Sequence, residues 1–229
     1  MHLTIANKCY SSWSMRPWLV MRAFGFHFEE TVIPLRQPDT AERIRAYSPT
    51  GKVPVLTDGE VKVWESLAII QYLADTHPEK AIWPQDRVAH AHALAIASEM
   101  HAGFQALRQA CPMNLGKRFK TPPLTDDIKA YVARSEAVWH ETRARFSHGG
   151  PYLFGEFTAA DAMYAPIATR LDTYSIPVAA DTRAYIDAVY AHPAFVAWRD
   201  AALREPVAWD IAAYEDGHEV IEDLRVRSA

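Results

Sequence analysis

Val53-Pro54-Val55-Leu56-Thr57, the dipeptide Asp58-Gly59 and the alternating run from Glu60 to Trp64 constrain the fold more than any other stretch of this chain. Asp-Gly between two strand-forming runs supplies the positive φ angles of a two-residue turn, so the flanking strands must be antiparallel. Directly after them Leu67, Ile70, Leu73 and Ala74 recur at helical spacing, with Glu65 and Ser66 at the helix start. Upstream, Leu3 to Ala6 predicts a strand, Met15 to Phe24 a helix, Phe28 to Leu35 a second strand and residues 40–46 a short helix. Strand, helix, strand implies a parallel crossover, and the hairpin then makes the sheet mixed. The order βαβαββα closes at residue 76.

His77 to Pro84 carries two prolines and no periodicity, which marks residues 77–86 as a linker between units 1–76 and 87–229. Beyond it strand character is scarce, and the second unit reads as all-helical. Arg87 to Ala110 predicts one long helix with Leu94, Ala97, His101, Phe104 and Leu107 on one face. Pro112, Pro122 and Pro123 interrupt the chain before Asp126 to Phe146 resumes helical periodicity. Thr158, three residues before Asp161, predicts a helix start close to the capping-box pattern. The apolar continuation Ala162 to Ala168 implies a buried helix with Pro166 inside it. Two further helices follow at 183–190 and 193–203, and the acidic tail from Tyr214 has no clear pattern.

Composition limits function more than fold. The 229 residues are 49% hydrophobic and 23% charged, as in a folded, water-soluble protein. Twenty-eight acids against twenty-four bases give a net charge of -4, which offers no field for nucleic-acid phosphates or an anionic membrane. Cys9 and Cys111 form at most one bridge, and no secretory or membrane-spanning segment stands out, so a reducing cytoplasm is the expected home. His90 and His92 lie two apart on a helix and face different ways, which argues against a metal site. Lys117 to Lys120 reads as a solvated basic loop rather than a phosphate clamp.

The polar segment from Asn7 to Ser14 precedes a helix containing Pro17. Proline has no amide hydrogen and only the first four helical amides can lack an acceptor, so the helix is expected to begin no earlier than Ser14, with Ser14 as its cap. Ser11 and Ser12 then lie beside the positive end of the helix dipole, where a thiolate or oxyanion is stabilised. The alternative is a serine cluster that only caps the helix.

Tyr10-Ser11-Ser12-Trp13-Ser14-Met15-Arg16-Pro17-Trp18 resembles the active-site loop of the serine-type cytosolic glutathione S-transferases, most nearly the zeta class. Gly51 to Leu56 resembles that family's loop before a cis-proline, Glu65 to Leu73 its γ-glutamyl-binding helix start, and Gly155 to Asp161 its helical-domain capping box. The resemblance covers roughly residues 2–205. It implies an α/β thioredoxin-like N-terminal domain binding glutathione and an all-α C-terminal domain completing an electrophile pocket. It assigns Ser11 as the hydroxyl donor to the glutathione sulfur, with Ser12 as the alternative. Val53 is implied to pair with the cysteinyl portion, Pro54 to be cis, Glu65 and Ser66 to hold the γ-glutamyl group, and Gln37 and Lys52 to meet the glycyl end. Trp13, His101, Phe104 and Arg108 are expected at the electrophile site, the last three sharing a helix face, unless they serve only packing or a dimer interface.

No permanent cofactor or metal is implied; glutathione is a co-substrate and the protein a homodimer without nucleic-acid or membrane partners. Lowering a thiol pKa from about 8.5 by two units makes thiolate the majority form and corresponds to roughly 2.7 kcal/mol. One hydroxyl hydrogen bond to an anion contributes about 1.5–3 kcal/mol, so a serine at a helix N-terminus suffices. Cys9 offers a disulfide-reductase alternative, although a cysteine ending a strand is usually inert packing. Trp13 and Pro17-Trp18 depart from the zeta signature, which leaves open a general transferase, a maleylacetoacetate-type isomerase or a non-catalytic glutathione-binding module.

Overall fold

The computed structural model describes residues 1–225. Strand β1 (His2–Ala6) pairs in parallel with β2 (Glu29–Ile33) across helix α1 (Ser12–Ala23), and on its other side antiparallel with β3 (Val55–Asp58). β3 turns back into β4 (Val61–Trp64), giving a four-stranded mixed sheet in the order β2-β1-β3-β4. Asp58 pairs with Val61, so the turn is Gly59-Glu60, one residue later than the sequence suggests. Gly59 alone of the pair takes a positive φ, 58°. Helix α2 (Thr40–Tyr47) lies in the connection from β2 to β3, and α3 (Ser66–Thr76) follows the hairpin.

The remainder is helical: α4 (Arg87–Ala102), α5 (Gln105–Ala110), α6 (Asp126–Phe146), α7 (Ala159–Thr173), α8 (Ala180–Ala191) and α9 (Pro193–Leu203). Two features correct the sequence reading. The long helix expected over 87–110 breaks at Gly103-Phe104, where Phe104 adopts a left-handed φ of 64°. Lys117 to Lys120 is no solvated loop, because Lys117–Phe119 forms β5 and pairs antiparallel with β6 (Val220–Asp223) in the acidic tail. Lys117 meets Glu215, Arg118 meets Asp172 at 2.8 Å, and Lys120 meets Glu219 at 3.0 Å. Each strand carries two consecutive charges, Lys117-Arg118 and Glu222-Asp223, so neither shows the apolar and polar alternation that marks a strand in sequence.

Helix α7 is buried along nearly its whole length. Its start is the expected capping box: the Asp161 carboxylate accepts from the Thr158 amide at 2.8 Å and the Thr158 hydroxyl at 3.0 Å, and also from the Leu153 amide and Tyr185 hydroxyl. α1 and α4 pack against α7, and one contiguous apolar cluster runs from Leu3 and Ile5 through Leu19, Ala97 and Ile167 to Ile211. The serine loop therefore lies between sheet and bundle. Among the described residues no helix is long and apolar enough to cross a membrane.

Candidate active site

Helix α1 begins two residues earlier than proline logic allows. Ser11, not Ser14, is the cap: its hydroxyl accepts from the Ser14 amide at 3.3 Å and its carbonyl accepts the Met15 amide at 3.1 Å. Pro17 thus sits inside the helix, and the missing hydrogen bond is tolerated because this helix is held by tertiary packing against α3, α7 and α9. Ser14 is drawn inward instead, its hydroxyl accepting the Ala6 amide at 3.1 Å and the Ser11 hydroxyl at 2.8 Å.

Two adjoining cavities open at this helix start. The smaller, about 250 Å³, is lined by Trp13, Thr50, Lys52, Val53, Pro54, Trp64 and Glu65. The larger, about 500 Å³, includes Tyr10, Ser11, Ser12, Trp13, Lys52 and Val53 from the sheet side, and Arg108, Met113, Arg170 and Tyr214 from the helical side. They share Trp13, Lys52 and Val53, so they form one cleft. The Val53–Pro54 peptide is cis, as expected. Glu65 has a positive φ of 69° at the start of α3, a conformation disfavoured for a residue with a Cβ and therefore held by its surroundings. Ser66 is buried beside it and accepts from Arg16 at 3.4 Å.

The cleft is strongly positive. Arg16 is fully buried, and its Nε and Nη2 have no hydrogen-bond partner among the described residues. Burial, then repulsion from Arg108 and Arg170, pushes the Arg16 pKa well below its usual value against the pull of Glu65. Arg170 is lowered to about 10 by burial and by Arg108. A positive field of this kind, opposed by Glu65 alone among the charges acting on Arg16, favours an anion. The Trp13 indole has two guanidinium groups against its ring, Arg16 at 4.0 Å and Arg108 at 4.9 Å from the ring centroid. His101 stands edge-on to Trp13 at 5.0 Å and 3.7 Å from the Glu65 carboxylate. Burial, then Arg16, lowers the His101 pKa against the pull of Glu65, which disfavours the charged ring and weakens its contact with that carboxylate.

Trp13, His101 and Arg108 therefore come together, but not through a shared helix face. Arg108, on α5, folds back to donate to the Met100 and His101 carbonyls at the end of α4, groups a helix C-terminus leaves unpaired. Phe104 does not reach the cleft: it is 1% exposed and packs on Tyr131 and Tyr164, because the helix break rotates it into the core. Gln37 lines neither cavity and instead donates to the Ala208 carbonyl at 3.3 Å. Sequence reasoning missed Arg170, a solitary arginine in an apolar helix and itself a visible signal, and Tyr214, carried in by the tail. The Ser12 hydroxyl accepts from Arg170 at 3.4 Å.

Burial raises the Cys9 thiol to about 11 and the Cys111 thiol to about 12, so neither is a nucleophile at neutral pH. His90 and His92 engage the Pro84 carbonyl and the Thr142 hydroxyl. No group of three His, Cys, Asp or Glu among the described residues has metal-site geometry.

Known proteins are similar to this chain in sequence and in fold. Residues 10–76 match the family model "Glutathione S-transferase, N-terminal domain". Glutathione S-transferase Z2 of Arabidopsis thaliana is 31% identical over 171 residues, covering 69% of this chain and 74% of that protein. The probable maleylacetoacetate isomerase of Caenorhabditis elegans is 27% identical over 167 residues, covering 72% of this chain and 76% of that one. The fold also matches a glutathione transferase homologue from Burkholderia GL BGR1 solved with bound glutathione, at a TM-score of 0.66 and 20% identity over 88% of this chain and 96% of that one. A serine-capped helix facing a cis-proline loop across one cleft, with sequence likeness running through both halves, makes this chain a zeta-like member of the glutathione S-transferase family.

Proposed function

We propose that this glutathione transferase binds the tripeptide along the smaller cavity and stabilises its thiolate at Ser11, the thiol proton passing to solvent. The observation that carries the reading is the shared cleft, in which Ser11, the Val53-Pro54 loop and Glu65 face one space, with Ser66 buried next to Glu65 at the start of α3. The Val53 backbone would pair with the cysteinyl portion, Glu65 with the γ-glutamyl ammonium, Ser66 and the start of α3 with its carboxylate, and Lys52 with the glycyl carboxylate. Gln37 fits a glycyl contact less well, being turned to the tail. The Ser14 amide orients the Ser11 oxygen, and rotation of the hydroxyl proton from Ser14 toward sulfur exchanges a neutral hydrogen bond for a charge-assisted one. The field of Arg16, Arg108 and Arg170 adds to the effect. The thiolate then attacks an electrophile in the larger cavity; Ser11 is a donor throughout.

That cavity combines apolar walls at Met113 and Pro112 with the guanidinium groups of Arg108 and Arg170. The acceptor is accordingly an apolar body bearing a carboxylate. The same arginines favour, as a second reading, a glutathione-dependent isomerase acting on an unsaturated diacid, which agrees with the name of the nematode relative. The division into a glutathione-holding unit 1–76 and an acceptor-shaping unit 87–229, a homodimeric assembly and a cytoplasmic setting complete the reading. Glutathione-dependent turnover of paired acceptors, each neutral electrophile matched with its carboxylate-bearing analogue and including maleylacetone-type diacids, tests it. Retention on immobilised glutathione with no turnover across the panel would leave a binding module, and preference for the neutral partner would remove the acidic acceptor.

A further inference from the structure

The two residues that lead into the serine loop contribute four backbone polar groups, and all four are paired with groups from far along the chain. The Lys8 and Cys9 amides both donate to the Glu205 carboxylate, the latter at 3.1 Å. The Lys8 carbonyl accepts from the Trp198 indole at 2.9 Å, and the Cys9 carbonyl accepts from the Leu115 amide at 3.2 Å. The flanking side chains are tied to the same region: Asn7 donates to the Trp209 carbonyl at 3.2 Å, and Arg225 donates to the Tyr10 hydroxyl at 2.7 Å. Glu205 lies just beyond α9, half-buried, with Arg225 and Lys8 as its cationic neighbours. The Asn7 carbonyl closes a local turn by accepting from the Tyr10 and Ser11 amides at 3.2 and 2.9 Å, and the two residues spanned by that turn, Lys8 and Cys9, are held entirely from outside it.

We propose that Glu205 is a positioning residue for Ser11, its bidentate grip on the Lys8 and Cys9 amides fixing where the α1 cap and its hydroxyl face the cleft. This rests on the reading of Ser11 as the thiol donor. Glu205 touches neither cavity of the cleft, so its effect is transmitted through two amides and three residues of backbone. Each amide meets its own oxygen of Glu205, a two-oxygen acceptor that a carboxylate supplies and a carboxamide does not. A glutamine presents one acceptor oxygen and turns its amino group against the second N–H, which releases one of the two.

The test is spectroscopic titration of the thiol of bound glutathione, with kcat and KM toward a neutral aryl halide, on the full-length protein and three variants. E205Q is expected to raise the bound-thiol pKa by about one unit and to lower kcat about 10-fold, with the KM for glutathione changed less than about 3-fold. W198F, which removes the donor to the Lys8 carbonyl, should move both quantities in the same direction by less, and it carries the test alone where E205Q does not fold. F195L is the stability control: Phe195 is buried on α9, packs on Tyr190 and offers the loop no hydrogen bond, so it should lower Tm and leave the thiol pKa in place. E205Q or W198F with wild-type thiol pKa and kcat overturns the inference alone, as does an equal thiol shift in F195L. A wild-type protein that binds glutathione without lowering its thiol pKa overturns the Ser11 reading and this inference with it.

Discussion

Ser11 caps a helix and faces a cleft, and the two roles meet in one oxygen that accepts from the Ser14 amide at 3.3 Å while its proton points to Ser14 Oγ at 2.8 Å. Ser12, one residue on, accepts from Arg170 at 3.4 Å and is set by the helical side of the cleft. A hydrogen bond to a charged acceptor contributes about 1.5–3 kcal/mol, so S11A should lower kcat/KM for glutathione conjugation about 10- to 100-fold, and S12A several-fold at most. Steady-state kinetics on both variants decides this; a larger loss in S12A would move the thiolate to Ser12. Phe104 makes the opposite point. A residue that helical spacing assigns to the pocket is buried, so F104A should destabilise the protein by about 3–5 kcal/mol, measured by urea denaturation, with KM for the acceptor unchanged in the fraction that folds. What spacing could not reveal is the break at Gly103, where a left-handed Phe104 rotates the face by the amount that separates cleft from core.

At the scale of elements, α7 is the member on which the others depend. Its capping carboxylate, Asp161, is fully buried, and burial raises its pKa to about 6 despite amide donors from Leu153 and Thr158 and hydroxyls from Thr158 and Tyr185. A carboxyl whose folded pKa lies above its unfolded value binds more protons folded than unfolded in the interval between them. Its contribution is therefore fully present below 3.8 and lost as pH rises through about 6. Relative to the non-titrating D161N, the wild-type urea midpoint should fall across that interval and run parallel to it above about pH 7; parallel curves throughout would show that the carboxyl does not titrate there. The Thr158–Asp161 box and the bounds of α6 and α9 were legible because capping and period are local properties. The β5–β6 pair was not, since its partners lie about a hundred positions apart and each alone looks like a charged surface segment.

For the whole molecule, the apolar cluster spans sheet and bundle without interruption, and α1 is packed between α3 on one side and α7 and α9 on the other. Neither part keeps its buried face if the other opens. Chemical unfolding should therefore be a single transition, with tryptophan fluorescence and far-UV circular dichroism coinciding, although the sequence divides at a proline-rich linker. M15A, at a fully buried position on α1, should shift both probes together. Separate transitions would mean that the interface contributes little.

The sequence by itself determined most of the elements and the chemistry of the loop, while the break between α4 and α5 and the β5–β6 pair lay beyond it. The hairpin, the βαβ crossover and the capping box follow from local spacing, and serines before a helix, a Val-Pro step and a Glu-Ser helix start are read residue by residue. Tertiary structure decided which of these residues share a space. It turned Phe104 inward, took Gln37 to the tail, brought Arg170 and Tyr214 to the cleft, and placed Arg16, Arg108 and Arg170 close enough for their fields to add. It also placed the support of the Ser11 loop at Leu115, Trp198 and Glu205. Periodicity reports which face of an element is apolar, while electrostatic fields and loop support depend on distances between elements, which one-dimensional spacing does not contain.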